Sequence, residues 1–357
     1  MKQNFGMLLL NCEEKEIIMI KKLYIKSNPS VKEKWLNLLM QEGIREESTL
    51  DETYGYYNEE DELIATASRY QNVIKCVAVD STYQGGSLFN EIISHVMNQN
   101  VQEGFFKHYV YTKPGCKKGF EYLGFHEIES VDHTLVFMEK AITGFDAFIK
   151  NLESLNQNAP NTAAIVMNAN PFTLGHQFLV EKAASESKYV YVFVLSEEMS
   201  AFKAAQRIEL VRLGTAHLKN VKVLPTENYM VSSATFPSYF LKEDDDVTFV
   251  QARLDARVFA HHIAPALNIT KRYVGSEPFS NATNIYNEAL QEEFKGKLDL
   301  EIVDRIGNEE SIISATKVRS LLAEENLDAV RHFVPETTFA FFISEEGKQV
   351  IAALKGA

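Results

Sequence analysis

Only three cysteines occur in 357 residues, Cys12, Cys76 and Cys116, and no two stand in a C-x-x-C spacing. That excludes a disulfide framework and a cysteine zinc site, fits a reducing cytoplasm, and leaves each thiol as a core or surface group. Long apolar runs are missing too. No stretch approaches the roughly 18 residues of a membrane-spanning helix, and Met7 to Leu10 is too short for the core of a secretory leader. Positive charge is scarce, with 36 Lys and Arg against 49 Asp and Glu and a net charge of -13. Such a surface repels polyanions, which argues against nucleic acid or an anionic membrane as partner and leaves room for a local basic pocket for a small phosphate ligand. Metal-ligand and hydrolase spacings are lacking as well: His261-His262 cannot place two ligands on one helix face, and neither H-E-x-x-H nor G-x-S-x-G occurs.

What is present is an ordinary globular composition, 45% hydrophobic and 24% charged, at a length that suggests two domains. In residues 1–140, Thr53 to Tyr57 and Leu63 to Arg69 flank the acidic turn Asn58 to Glu62 and predict a hairpin, with Val73 to Val79 as a third strand. The turn Ser81 to Gly86 then opens a helix over Ser87 to Val101, where Leu88, Ile92 and Val96 recur at helical spacing. A strand at His108 to Tyr111, a helix near Lys117 to Leu123 and a strand at Thr134 to Glu139 complete this block. Residues 141–161 read as a helix, Phe145 to Leu155, and a linker, Asn156 to Asn161, in which turn formers and a Pro show no apolar period. Beyond it, in residues 162–357, Ala163 to Met167, Tyr189 to Leu195, Val221 to Leu224, Val247 to Val250 and Arg272 to Val274 read as strands mostly separated by helices. That alternation predicts a parallel α/β sheet, with chemistry in the loops after Met167, Leu195 and Val274.

The first of those loops runs from Asn168 to His176 and enters a helix near Leu174. Free amides and the helix dipole favour an anion there, Gly175 lets a phosphate approach the backbone, and Thr173 and His176, three apart, share one side of the first turn. The same four residues equally describe a plain helix capped by Thr173. Near the other end, Ile313 to Arg319 opens another helix with Ser314 as N-cap and with Lys317 and Arg319 close to its amino end. Cations there oppose the dipole, which makes sense if a polyphosphate lies between them. Arg207 is either a site residue or a surface charge. Arg253 and Arg257 bind phosphate or a carboxylate, or are solvated helix charges.

Thr173 to His176 and Ile313 to Arg319 together resemble the nucleotidylyltransferase superfamily, with its (H/T)-x-G-H loop and late I-S-S-T-x-x-R motif. Ala315 replaces the second Ser, and Asn170 stands where an Asp is common. The wording MNANPFTLGHQFLVEKA, FKAAQRIELVRLGTAHL, YVGSEPFSNATNIYNEAL and ISATKVRSLL narrows the resemblance to the citrate lyase ligase family, over the whole chain. That resemblance implies a Rossmann-like nucleotidylyltransferase domain behind a GNAT-like α+β domain. It implies a cytoplasmic ligase that uses ATP and Mg2+ to activate acetate as acetyl-AMP and acetylates the thiol on the citrate lyase acyl carrier subunit. His176, Thr173, Lys317 and Arg319 are then the catalytic group. Asn168, Asn170, Phe172, Gly175, Arg207, Gly275, Ser276, Glu277, Ser314 and Thr316 line the nucleotide, and no side chain is assigned to a metal. An adenylyltransferase acting on a phosphate ester such as pantetheine phosphate or a nicotinamide nucleotide shares both motifs and is the alternative. A nucleotide-sensing module without catalysis is a third reading.

The turn Val77 to Ser87 resembles the coenzyme A loop of GCN5-related acetyltransferases at Gln84, but Ser87 occupies the expected first Gly and Phe89 a small position. Phe120 to Phe125 resembles a later segment of that fold. The resemblance implies a degenerate cleft able to receive a phosphopantetheine-type arm.

Overall fold

A computed structural model describes the chain from Ile20 to Lys355, except Met199 and the stretches 231–235, 237, 242–245, 277–280 and 305–312. By its internal packing the chain divides into two compact units, Met1–His108 and Tyr109–Ala357. Cys12 and Glu277 lie outside the described residues. Cys76 is buried and Cys116 exposed, and neither is in a disulfide.

The first unit carries β1 (Lys21–Lys22), α1 (Pro29–Gln41), β2 (Glu52–Tyr57), β3 (Leu63–Tyr70), β4 (Val73–Val79) and α2 (Leu88–Gln102). Its four strands pair antiparallel in sequence order. The hairpin turn is shaped by Asn58, whose Oδ1 accepts from the amides of Glu60 and Glu62. Trp35, Leu38 and Leu39 of α1 and Ile92, Ile93 and Val96 of α2 supply the buried helix faces. Between β4 and α2 the chain turns through Gly85 at φ +87°, a conformation that a side chain would strain. Arg69, only 2% exposed, donates to Glu52 at 3.0 Å from Nε and at 2.7 Å from Nη2, and pairs with Glu103 as well.

β5 (Lys107–Thr112) runs through the point of division. It is followed by α3 (Lys117–Tyr122), β6 (His126–Val131), β7 (Leu135–Ala141) and α4 (Phe145–Ser154). β6 and β7 form an antiparallel hairpin, with β7 next to β5. Along residues 20–141 the order is meander, glycine turn, helix, strand, short helix and closing hairpin. The segment read as a linker is firmly held. Asn156 Nδ2 donates to the Ala266 carbonyl at 3.0 Å, the Gln157 amide donates to Tyr191 Oη at 3.1 Å, and Asn161 Nδ2 donates to the Glu186 carbonyl at 2.8 Å.

From there strand and helix alternate: β8 (Thr162–Met167), α5 (Leu174–Glu186), β9 (Tyr189–Val194), α6 (Ala204–Gly214), β10 (Val221–Pro225), α7 (Val247–Val258), a π-helical turn at Phe259–Ile263, and α8 (Ala264–Ala266). β11 (Ile269–Gly275), α9 (Asn281–Phe294) and β12 (Asp299–Val303) follow, and α10 (Ala315–Ala323), α11 (Leu327–Val330), α12 (Glu336–Ile343) and α13 (Glu345–Lys355) close the chain. The five strands are parallel in the order β10-β9-β8-β11-β12. This is the expected Rossmann-like sheet: β8 and β9 are nearly all apolar because helices cover both faces. The order reverses between β8 and β11, and the crevice beyond the carboxyl ends at that point is where such sheets bind ligands. Ala163, Ile165 and Met167 of β8 and Val190, Val192 and Val194 of β9 share a core with Phe172, Phe202, Val318, Leu322 and Phe342. Among the described residues, no helix is long and apolar enough to cross a membrane.

Two readings of the sequence are corrected. Val247 to Val250, expected as a strand, is the first turn of α7: Asp246 caps it by accepting from the Phe249 amide at 3.1 Å, and Val250, Leu254 and Val258 are buried at helical spacing. Arg253 and Arg257 project from one face of that helix and are committed to Asp132 at 2.6 and 2.7 Å, with Arg253 also on Glu293 at 2.7 Å. Both are partly buried and held in ion pairs within the protein.

The Glu52–Arg69 pair sets a pH dependence. Burial alone would raise the Glu52 carboxyl, but hydrogen bonds from Lys22, Tyr54 and Arg69 outweigh it and hold its pKa at about 2, below the ordinary 4.5. A depressed carboxyl contributes stability that is fully present above the unfolded value and lost as pH falls through the folded one. Urea midpoints measured from pH 4.5 down toward pH 2 should therefore fall less steeply in Glu52→Gln than in wild type. Equal slopes would show that the pair contributes nothing to acid sensitivity.

Candidate active site

The loop leaving β8 enters α5 through a reciprocal cap. Thr173, 2% exposed, accepts from the His176 amide at 3.4 Å, and His176 Nδ1 in turn accepts from the Thr173 amide at 3.1 Å. A backbone N–H can only donate, so Nδ1 carries the lone pair and the neutral ring carries its proton on Nε2. The imidazole lies nearly parallel to the buried Phe172 ring, at 5.8 Å and 15°. Phe172 is itself seated against α6 at Gly214, where an added methyl would overlap it. The Leu174 amide is satisfied by the Phe333 carbonyl at 2.9 Å and the His176 amide by Thr173, which leaves the Gly175 amide at the helix entrance without a partner among the described residues.

α10 presents a second helix amino end. Ser314 caps it by accepting from the Lys317 amide at 3.1 Å. Arg319 donates from Nη2 to Thr316 Oγ1 at 3.1 Å and from Nη1 to the Asn170 carbonyl at 2.6 Å, so one side chain ties α10 to the β8–α5 loop. Burial pushes the Arg319 guanidinium below the ordinary arginine range, and it stays charged at neutral pH.

Both helix ends open into a cavity of about 360 Å³ at the carboxyl ends of β8, β11 and β12. Asn168, Asn170, Thr173, Gly175, His176, Gly275, Ser314, Thr316 and Arg319 line it, all expected from the sequence as site residues. Phe178, Leu179 and Ile313 add an apolar wall, and Asp304, at the end of β12, adds a carboxylate. Gly275 has no atom within 4 Å of an added methyl, and one on Gly175 would meet Ile313 and Thr173 only at 3.6–3.8 Å. Protein packing therefore demands glycine at neither position. Two helix amino ends, an Nε2–H imidazole and a guanidinium make an anion-binding surface large enough for a phosphate chain.

Other expected site residues lie elsewhere. Lys317 does not line the cavity; its Nζ sits 4.7 Å from the centre of the Phe333 ring. Thr316 and Arg319, three apart, share a side of α10. Arg207 is fully buried, so it is not a surface charge. It donates to the Phe202 carbonyl at 3.0 Å and to the Asn168 carbonyl and Oδ1 at 2.9 and 2.5 Å, and it also reaches the Glu197 carbonyl. Burial lowers its pKa, and the nearby Glu197 and Glu198 carboxylates oppose the shift. Phe172 belongs to the core rather than to the cavity wall. Ser276 donates its amide to the Val303 carbonyl at 2.8 Å, closing β11 to β12 behind the cavity. Sequence reading missed Asp304 because it missed β12. The alternation of Leu298, Leu300 and Ile302 with Asp299 and Glu301 was the available signal.

The family model of the citrate lyase ligase C-terminal domain matches residues 162–342. The chain is 32% identical over 302 residues to the citrate (pro-3S)-lyase ligase of Escherichia coli (strain K12), covering 82% of this chain and 86% of that protein. It is 35% identical over 277 residues to the enzyme of that name from Klebsiella pneumoniae, covering 76% and 81%. Against the one from Haemophilus influenzae (strain ATCC 51907 / DSM 11121 / KW20 / Rd) it is 32% identical over 302 residues, covering 82% and 90%.

Gly175→Ala separates stability from ligand binding. The added methyl meets ordinary contacts, and alanine in a helix lowers the entropy of the unfolded chain, so stability should hold or rise by up to about 1 kcal/mol in urea denaturation. Pyrophosphate binding, measured by calorimetry, should weaken, because the methyl stands over the unpartnered amide. Unchanged binding would remove that amide from the anion site.

Proposed function

Because the chain belongs to the citrate lyase ligase family, we propose that it is an acid–thiol ligase that activates acetate with ATP and acetylates the thiol of a phosphopantetheine-type group on the citrate lyase acyl carrier subunit. The observation that carries this reading is the convergence of two helix amino ends, His176 and Arg319 on one cavity at the sheet's switch point.

Acetate is a poor acyl donor because its leaving group is oxide. In the first step an acetate oxygen bonds to the α-phosphorus of ATP, the bond to the bridging oxygen breaks, and pyrophosphate departs with the electron pair. The carrier thiolate then attacks the acyl carbon of acetyl-AMP and AMP leaves. Negative charge grows on the phosphate oxygens during the first step. His176 Nε2–H, the Gly175 amide, the α10 amino end and Arg319 are placed to receive it, and one aimed donor is worth roughly 3 kcal/mol, or about a hundredfold in rate. The His176 proton is fixed on Nε2 by the cap, so no proton shift is needed before it donates.

Magnesium fits the phosphate chain rather than a protein cage. Among the described residues no three His, Cys, Asp or Glu side chains could hold a metal, and Mg2+ prefers water and phosphate oxygens, with Asp304 the carboxylate on the cavity wall. Bound there, it would neutralise phosphate charge.

Acetate-dependent exchange of labelled pyrophosphate into ATP is the expected activity, and exchange that responds only to a phosphate ester would assign the chain to an adenylyltransferase instead. His176→Ala should reduce the acetate-dependent rate about a hundredfold with an unchanged circular dichroism spectrum. A variant of near wild-type rate would remove the imidazole from the chemistry.

A further inference from the structure

The carboxamides of Asn168 and Asn170 have orientations that their neighbours dictate. Asn168 Oδ1 lies 2.5 Å from Arg207 Nη1, and a guanidinium has donors only, so the oxygen must be the end that faces it. Asn170 Oδ1 lies 3.1 Å from the Phe202 amide, again a donor, with the same consequence. Both NH2 groups are therefore turned away from these partners. Asn168 Nδ2 gives one hydrogen to Ser200 Oγ at 3.3 Å and keeps a second, and among the described residues no acceptor faces Asn170 Nδ2. Both residues line the cavity where β8 ends.

Two donors without full charge suit a small monoanion better than a polyphosphate, which the two helix amino ends, His176 and Arg319 already serve. Behind Asn168 the fully buried Arg207, itself 3.8 Å from the Glu197 carboxylate, fixes the carboxamide through bonds to the Asn168 carbonyl and Oδ1. Resting on the reading of the cavity as a carboxylate-activating site, we propose that Asn168 and Asn170 form the subsite that binds the carboxylate substrate, with Arg207 as its positioning residue. The amide hydrogens hold the carboxylate oxygens, so that the attacking oxygen is presented to the α-phosphorus instead of being held off by the surrounding acidic chain.

The isosteric Asn168→Asp and Asn170→Asp test the subsite. Each keeps the acceptor that Arg207 or the Phe202 amide requires and replaces a donor with a negative oxygen. In acetate-dependent pyrophosphate exchange, the KM for acetate should rise about tenfold or more, as expected for losing hydrogen bonds to a charged group, while the KM for ATP stays within about twofold. A rise in the ATP KM with an unchanged acetate KM, or equal rises in both, would overturn the proposal. If either Asp variant fails to fold, Asn170→Ser, which retains an acceptor and loses the NH2, gives the same split. For Arg207, Arg207→Lys keeps a donor beside Asn168 and should hold the acetate KM nearer wild type than Arg207→Met does; equal values would make its role purely structural. If wild-type exchange does not depend on a carboxylate, the functional reading itself fails and the subsite with it. If it does depend on one and the variants show no split, the subsite alone fails.

Discussion

Arg319 reaches the carbonyl of Asn170 at 2.6 Å and Thr316 Oγ1 at 3.1 Å, and the site depends on that bridge. α10 and the β8–α5 loop are separated by about 140 residues of chain, and each brings a helix amino end with amides that need anions or water. Joining them through a partly buried guanidinium sets two positive dipole ends around one cavity and places a permanent cation between them. Two dipole ends of like sign repel weakly, and an anionic ligand is what turns the arrangement from a cost into a stabilising one.

Behind the cavity the loops rest on buried groups. Arg207 holds the loop after β8 to the loop after β9 by bonds to Asn168, Glu197 and Phe202, with its charge buried and every contact an oxygen. Phe172 lies under His176 and against Gly214, so the imidazole sits on a packed ring rather than in solvent. The cavity thus sits on the carboxyl ends of parallel strands whose positions the core of β8 and β9 determines.

How much of this was legible in the sequence follows from the range of the interactions. The capped helices at Thr173 and Ser314 are local, three-residue devices, and their side chains stand where spacing places them. The buried runs of β8 and β9 spell a parallel sheet because both faces need apolar residues. Val247 to Val250 misled because four β-branched and aromatic residues outweighed a cap at Asp246 and the apolar period that follows it. Lys317 stands out in the sequence as a cation near a phosphate motif, and only tertiary structure shows its Nζ over the Phe333 ring. Arg207 was ambiguous for a different reason: only tertiary structure shows that its guanidinium makes four hydrogen bonds to loop oxygens inside the protein. The pinned carboxamides of Asn168 and Asn170 are invisible in sequence for the same cause.

The proposed arrangement is a phosphate chain held between two helix amino ends with the carboxylate beside it, in a chain of the citrate lyase ligase family. A structure of the protein with a non-hydrolysable ATP analogue tests this most directly. The triphosphate is expected between the amino ends of α5 and α10, within hydrogen-bond reach of the Gly175 amide, His176 Nε2 and Arg319. A nucleotide bound elsewhere, or with its phosphates turned away from both helix ends, would contradict it.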